Sequence, residues 1–149
     1  MTLPTVRFVR THPQAQLPTQ GTKDAVGWDL YAALDGDAFL APGARMLIST
    51  GWNVAVPDGY EAQVRSRSGL ALKNGVFVLN SPGTIDPDYR GSIGVILYNS
   101  DRDLGYVVKP GARIAQLVVA PVTRAAMLEV EAFNDETARG TGGYGHTGV

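Results

Sequence analysis

The chain has no cysteine and only two histidines, His12 and His146. That excludes a disulfide framework, a thiolate metal site and a cysteine nucleophile, and it leaves too few ligands for a histidine-based metal centre. Neither sign of charge prevails: 13 Lys and Arg stand against 14 Asp and Glu, for a net charge of −1. A long polyanion such as DNA or RNA is drawn by a broad basic field, so no nucleic acid polymer is expected as partner, and any anion must be held locally. No apolar run approaches membrane-spanning length, and the opening MTLPTVRFVR lacks the apolar centre of a signal peptide. The expectation is a soluble, cytoplasmic protein with no membrane partner.

What the chain does have is short apolar segments punctuated by glycine and proline. Its 149 residues are the size of one domain. TVRFVR, WDLYAA, RMLIST, WNVAV, EAQV, VFVL, IGVILY, YVV, IAQLVV and MLEVEAF read as strands, because they alternate or are rich in β-branched residues. LDGD, APGA, PDGY, IDPDYRG and KPGA read as the turns between them, since proline presets φ and glycine supplies positive φ. PGAR occurs at 42–45 and again at 110–113. Two copies so far apart are repeated turn chemistry, not a solenoid. Strands this short and evenly spaced predict an all-β fold, a compact barrel or jelly roll.

Three stretches carry chemistry. In RSRSGLALKNGV, Ser68 can cap a short helix running through Leu70, Ala71, Leu72 and Lys73, with Asn74 and Gly75 as its stop. A helix start beside arginines suits an anion, although Ser68 as a plain cap beside solvated Arg65 and Arg67 explains the same residues. LNSPGTIDPDYRGSIGVILYN sets Asn80, Asp86, Asp88 and Tyr89 around a turn between two strands, the way a hairpin displays side chains over a pocket. Asp86 and Asp88 would also serve as simple turn formers; Asn80, with a donor and an acceptor side by side, suits the edge of a base. RGTGGYGHTG, at 139–148, has five glycines in ten positions, a poor structural element threaded with arginine, aromatic and hydroxyl side chains.

Five segments together resemble the motifs of the trimeric deoxyuridine triphosphatases, the dUTPases: VGWDLYAA (26–33), RSRSGLA (65–71), NSPGTIDPDYRG (80–91), GARIAQLV (111–118) and RGTGGYGHTG (139–148). They stand in that family's order and spacing and span the chain from 26 to 148. The resemblance implies a distorted jelly-roll β-barrel over residues 1–138 with one short helix, a flexible glycine-rich lid over 139–149, and a homotrimer with sites shared between subunits. It further implies Mg²⁺-dependent cleavage of dUTP to dUMP and pyrophosphate, keeping uracil out of DNA and supplying dUMP for dTMP synthesis.

By the same resemblance Asp86 would hold and deprotonate the water that attacks the α-phosphorus. Tyr89 would lie against the deoxyribose, and Asn80 would read uracil together with the backbone around Gly94. Arg67, Ser68, Gly69 and Gln116 would bind the phosphates. Asp29 would hold Mg²⁺ through a water, since the triphosphate itself supplies most of that metal's oxygen ligands. In the tail, Tyr144 would stack on the base, Arg139 would clamp the terminal phosphate, and Gly145, His146 and Thr147 would meet the phosphates as the lid closes.

The match is imperfect at four positions. Ser66 stands where the family usually has proline, Tyr144 where phenylalanine is usual, His146 where a small hydroxyl residue is common, and Val26 where a small residue is common. His12 has no counterpart and reads as a surface residue. Two rivals share the fold: a dCTP deaminase, which needs a glutamate poised at the pyrimidine, and a non-catalytic trimeric nucleotide-binding module. Glu61, Glu129, Glu131 and Glu136 all lie outside the motifs, which disfavours the first; the presence of Asp86 disfavours the second.

Overall fold

The computed structural model describes residues 3–144. Strands dominate, in the order β1 (Arg7–Arg10), β2 (Thr19–Gln20), β3 (Trp28–Tyr31), β4 (Ala38–Leu40), β5 (Arg45–Ala55), β6 (Tyr60–Arg65), helix α1 (Ser68–Asn74), β7 (Val76–Val78), β8 (Gly83–Ile85), β9 (Ser92–Asn99), β10 (Tyr106–Val108) and β11 (Arg113–Pro121). They form a four-stranded sheet β1-β5-β9-β7, a five-stranded sheet β2-β3-β11-β6-β8 and a two-stranded ribbon β10-β4. The all-β class with one short helix is as expected. The sheets, however, stay open and do not close into one continuous barrel.

Alternation explains how the sheets pack. Along β9, Ile93, Val95, Leu97 and Asn99 point inward and are buried, while Ser92 and Gly94 face out. The inward residues of β9 join Leu30, Ile48, Val64, Val76, Ile114 and Leu117 in one apolar core between the sheets. Each such aliphatic side chain contributes about 1.5–3 kcal/mol on burial. Asn99, fully buried, donates from Nδ2 to the carbonyls of Leu40 and Leu104 at 3.3 and 2.9 Å and accepts the Asp101 N–H at 3.0 Å. A buried amide so satisfied fixes the loop after β9 without a desolvation penalty.

Some elements differ from their sequence reading. RMLIST and WNVAV are one strand, β5, with its register shifted between Ser49 and Asn53. Gly51 lies in that shift at φ +74, and a Cβ there would meet the side chains of Ala15, His12 and Ala33 at 2.7–2.9 Å. Only glycine combines that φ with so close an approach, so the strand bends without breaking. WDLYAA ends as a strand at Tyr31, after which Ala32 N–H bonds to Ala112 and Ala33 N–H to Ser49, carrying the chain from one sheet toward the other. His12 is no simple surface residue: its ring is half-buried, with Nε2 3.2 Å from Asp35 and Nδ1 accepting the Gln14 N–H.

MLEVEAF forms no strand. Residues 122–144 contain none, and Met127, Leu128 and Phe133 are exposed. The alternation is there, but within one chain no neighbouring edge pairs with it, and an unpaired strand gains no ladder bonds. Among the described residues no helix is long and apolar enough to cross a membrane.

Candidate active site

The hairpin leading from β8 into β9 builds a cavity. β8 pairs with β6, setting Gly83 opposite Val64, and β9 pairs with β5, setting Gly94 opposite Ser49. Between these anchored strands a cavity of about 180 Å³ is lined by Val64, Asn80, Thr84, Asp86, Tyr89 and Gly94, among others. Four residues singled out in the sequence, Asn80, Asp86, Tyr89 and Gly94, therefore share one wall-to-wall space. Tyr89 donates its hydroxyl hydrogen to the Ser92 carbonyl at 2.9 Å, tying the ring to the start of β9. Ser92 Oγ in turn donates to Asn53 Oδ1 at 2.7 Å. On β5, buried Thr50 donates to the carbonyl of Ile93 at 2.8 Å, so two side chains of β5 hold the backbone leading to Gly94.

Asp86 also borders a wider groove of about 730 Å³, lined by Arg7, Asp58, Glu61, Asp88, Arg90 and Arg124 among others. Its carboxylate enters no salt bridge among the described residues. A carboxylate that is exposed and not bound to a cation stays free to accept a proton from water.

A second cluster is ionic and comes from three separate segments. On β3, Asp29 meets Arg67 Nε at 3.1 Å through one carboxylate oxygen and Arg113 Nη1 at 3.2 Å through the other. Arg67 Nη1 also donates to the Arg113 carbonyl at 3.1 Å. Gln116 pairs across β11 with both Asp29 and Arg65, and its Nε2 donates to the Ser66 carbonyl at 2.9 Å. The Gln116 amide fills the space over Gly27, where a Cβ would meet Oε1 at 2.1 Å. Strand β11 is thus the spine that brings Asp29, Arg67 and Gln116 together.

Helix α1 starts one residue earlier than Ser68 as cap implies. Arg67 occupies the N-cap position with extended backbone, and no side chain caps it; Ser68 is the first helical residue. Just before the helix, Ser66 Oγ accepts the Val78 N–H at 3.0 Å while the Ser66 N–H donates to Ser81 Oγ at 3.2 Å. Ser66 thereby pins the turn where proline would have stiffened it. Ser68 and Gly69 sit in the first helical turn, whose N–H groups have no partners within the helix. Gly75 ends α1 as expected, in the left-handed region with its N–H donating to the Ala71 carbonyl at 3.0 Å.

The tail residues are not gathered with either group. Arg139 folds back on its own turn, Nε donating to the Gly142 carbonyl at 2.9 Å, and Tyr144 is exposed. Gly145, His146 and Thr147 lie outside the described residues. Arg113 is a cluster residue that sequence reasoning missed, although it lies inside the quoted GARIAQLV segment; Thr84 and Ser92 were missed as parts of the cavity. Among the described residues no three His, Cys, Asp or Glu side chains converge as a metal cage.

Known proteins resemble this chain in sequence and in fold. The family profile described as dUTPase matches residues 13–148. A deoxyuridine 5'-triphosphate nucleotidohydrolase of Syntrophotalea carbinolica is 53% identical over 144 residues, covering 97% of each chain. One from Rhizobium etli is 51% identical, covering 99% of this chain and 96% of its own. Among solved structures, Staphylococcus bacteriophage 80alpha dUTPase with dUPNHPP superposes with a TM-score of 0.88 at 27% identity, over 97% of this chain and 99% of that one. With the family profile spanning nearly the whole chain and relatives matching more than half of its residues end to end, the chain belongs to the dUTPase family.

Proposed function

We propose that the protein hydrolyses dUTP to dUMP and pyrophosphate. The observation that carries this reading is the single cavity shared by Asn80, Asp86, Tyr89 and Gly94. Its size and lining suit one flat polar ring with a sugar beside it. Uracil presents an acceptor, a donor and an acceptor in order, and a rigid polar edge made of the Asn80 amide and the Gly94 backbone discriminates against cytosine by leaving buried groups unpaired. Tyr89 lies against the sugar, where a 2′-hydroxyl has no room.

Asp86 accepts a proton from water while the water oxygen bonds to the α-phosphorus and the bond to the departing pyrophosphate oxygen breaks. General-base assistance of this kind contributes about 10²–10⁴ in rate. Arg67, Ser68, Gly69 and Gln116 take the phosphate oxygens, where guanidinium and amide donors steady the charge that builds on the leaving group. Asp29 orients Arg67 and Arg113, and its carboxylate oxygens retain lone pairs able to accept from a water held by a cation. That suits Mg²⁺ carried mainly by the triphosphate, with Asp29 reaching it through water. When bound, Mg²⁺ neutralises phosphate charge.

The cavity lining contains none of Asp29, Arg67, Ser68, Gly69 or Gln116. That separation supports a homotrimer in which one subunit's ionic cluster faces another's cavity, in keeping with closed cyclic symmetry. Residues 139–149 act as the lid, bringing Arg139, Tyr144, Gly145, His146 and Thr147 over bound nucleotide, while residues 1–138 form the body. A chain without cysteine suits the cytoplasm. The test is pyrophosphate release with Mg²⁺ across dUTP, dCTP, dTTP and UTP: dUTP alone should turn over readily, and an intact dUTP pool or ammonia release from dCTP would overturn the reading.

A further inference from the structure

Tyr89 reaches into the cavity from an irregular bend, not from a strand, so something other than a ladder must set its tilt. Gly91, two residues on, is the candidate. A Cβ built on Gly91 would lie 2.3 Å from the Tyr89 hydroxyl oxygen, 2.5 Å from Cζ and 2.8 Å from Cε2. The ring therefore rests directly on the bare Cα of Gly91, closer than any side chain permits. The seat itself is fixed, because the Gly91 carbonyl accepts the Val54 N–H of β5 at 3.1 Å. The far end of the ring is fixed too, by the hydroxyl bond to the Ser92 carbonyl at 2.9 Å. Tyr89 lines the cavity and Gly91 does not.

We infer that Gly91 is a positioning residue for sugar selection: its missing side chain lets the Tyr89 ring lie back far enough to admit deoxyribose, and the Val54 and Ser92 bonds hold it there against ribose. The inference rests on the dUTP reading above. Gly91 does not occupy the left-handed region, so alanine is compatible with its backbone. A methyl group there displaces the ring before it displaces the main chain, because the atoms it meets are the outer end of a side chain held by one hydrogen bond.

The experiment compares kcat/KM for dUTP and UTP in the wild type, Gly91→Ala, Tyr89→Ala and the double variant, with thermal unfolding of each. Gly91→Ala should lower the dUTP/UTP ratio by about tenfold or more, chiefly through KM for dUTP, with little change in unfolding midpoint. In the Tyr89→Ala background the same substitution should change the ratio by less than about twofold, because the ring it displaces is gone. Equal effects of Gly91→Ala in both backgrounds, or none in the wild type, would overturn the inference. If Gly91→Ala fails to fold, recovery of folding in the double variant supports it, and failure of both overturns it. The sugar assignment fails separately: Tyr89→Ala would then leave the ratio unchanged.

Discussion

The cavity and the ionic cluster are built in opposite ways. Asn80, Asp86, Tyr89 and Gly94 lie within fifteen consecutive positions, on one hairpin whose two arms are anchored to different sheets. Asp29, Arg67, Arg113 and Gln116 come from segments up to 87 positions apart and meet only because β11 pairs with both β3 and β6. In the cavity the Tyr89 ring and the start of β9 are fixed by neutral hydrogen bonds, and its carboxylate, Asp86, meets no cation among the described residues. The cluster is held by charge, one carboxylate between two guanidiniums. On the proposed function this is a division of labour: a locally set hairpin surface recognises shape and donor order, and a long-range charged assembly receives the phosphates.

Substitutions should separate the two regions by kinetic signature. The largest effect belongs to Asp86→Asn, which should cut kcat by about 10² or more while leaving the dissociation constant of a non-hydrolysable dUTP analogue within a few-fold. Parallel loss of binding would mean that Asp86 merely shapes its turn. Arg67→Ala should act on the other side of the contrast. Loss of a charge-assisted bond, worth about 1.5–3 kcal/mol, should raise KM roughly tenfold to a hundredfold, readable in steady-state pyrophosphate release. Were Arg67→Ala to spare KM and lower kcat alone, the contrast would dissolve.

Truncation after Ala138 should lower kcat about tenfold with the unfolding midpoint preserved, since residues 122–144 hold no strand and add little to the core. Gly27→Ala is subtler: its methyl group must push aside the Gln116 amide, so a few-fold rise in KM for dUTP is expected, with dUMP inhibition moving less.

The smallest effect lies outside both regions. Asp101 is held below the usual carboxylate range by the backbone N–H of Leu104, and then by that of Asp103. A depressed carboxylate adds stability at neutral pH, and that contribution is lost as pH falls from the ordinary carboxylate range through the lowered value. NMR titration of Asp101 checks the direction, and Asp101→Asn should flatten the acid limb of stability only slightly.

How much could be read beforehand follows the same contrast. The hairpin was legible because its residues are neighbours: turn chemistry in IDPDYRG and alternation in IGVILY suffice to put Asn80, Asp86 and Tyr89 near one another. The cluster was legible only by motif, and the motif named Asp29 for a metal without revealing that both its oxygens meet arginines. Nothing local connects Asp29 with Arg113, 84 positions away. Strands β2, β4 and β8 were missed since TQ, AFL and GTI lack the β-branched and aromatic run that marks the equally short VFV of β7 and YVV of β10. MLEVEAF erred the other way, having the right alternation and no partner edge in its own chain. Ser68 was read as the cap because its type favours that place, but Arg67 takes the N-cap position, and the bond from the Val78 N–H to the Ser66 hydroxyl depends on where β7 lies.

That β11 follows both β3 and β6 in the chain has a consequence for biosynthesis. Because Gln116 is the position where β3 and β6 are joined, a nascent chain still holding that strand inside the ribosome has Asp29 and Arg67 on separate, unlinked pieces. An unfinished polypeptide therefore lacks the ionic cluster even when the hairpin from β8 into β9 has already emerged, and the cluster assembles only once β11 is out.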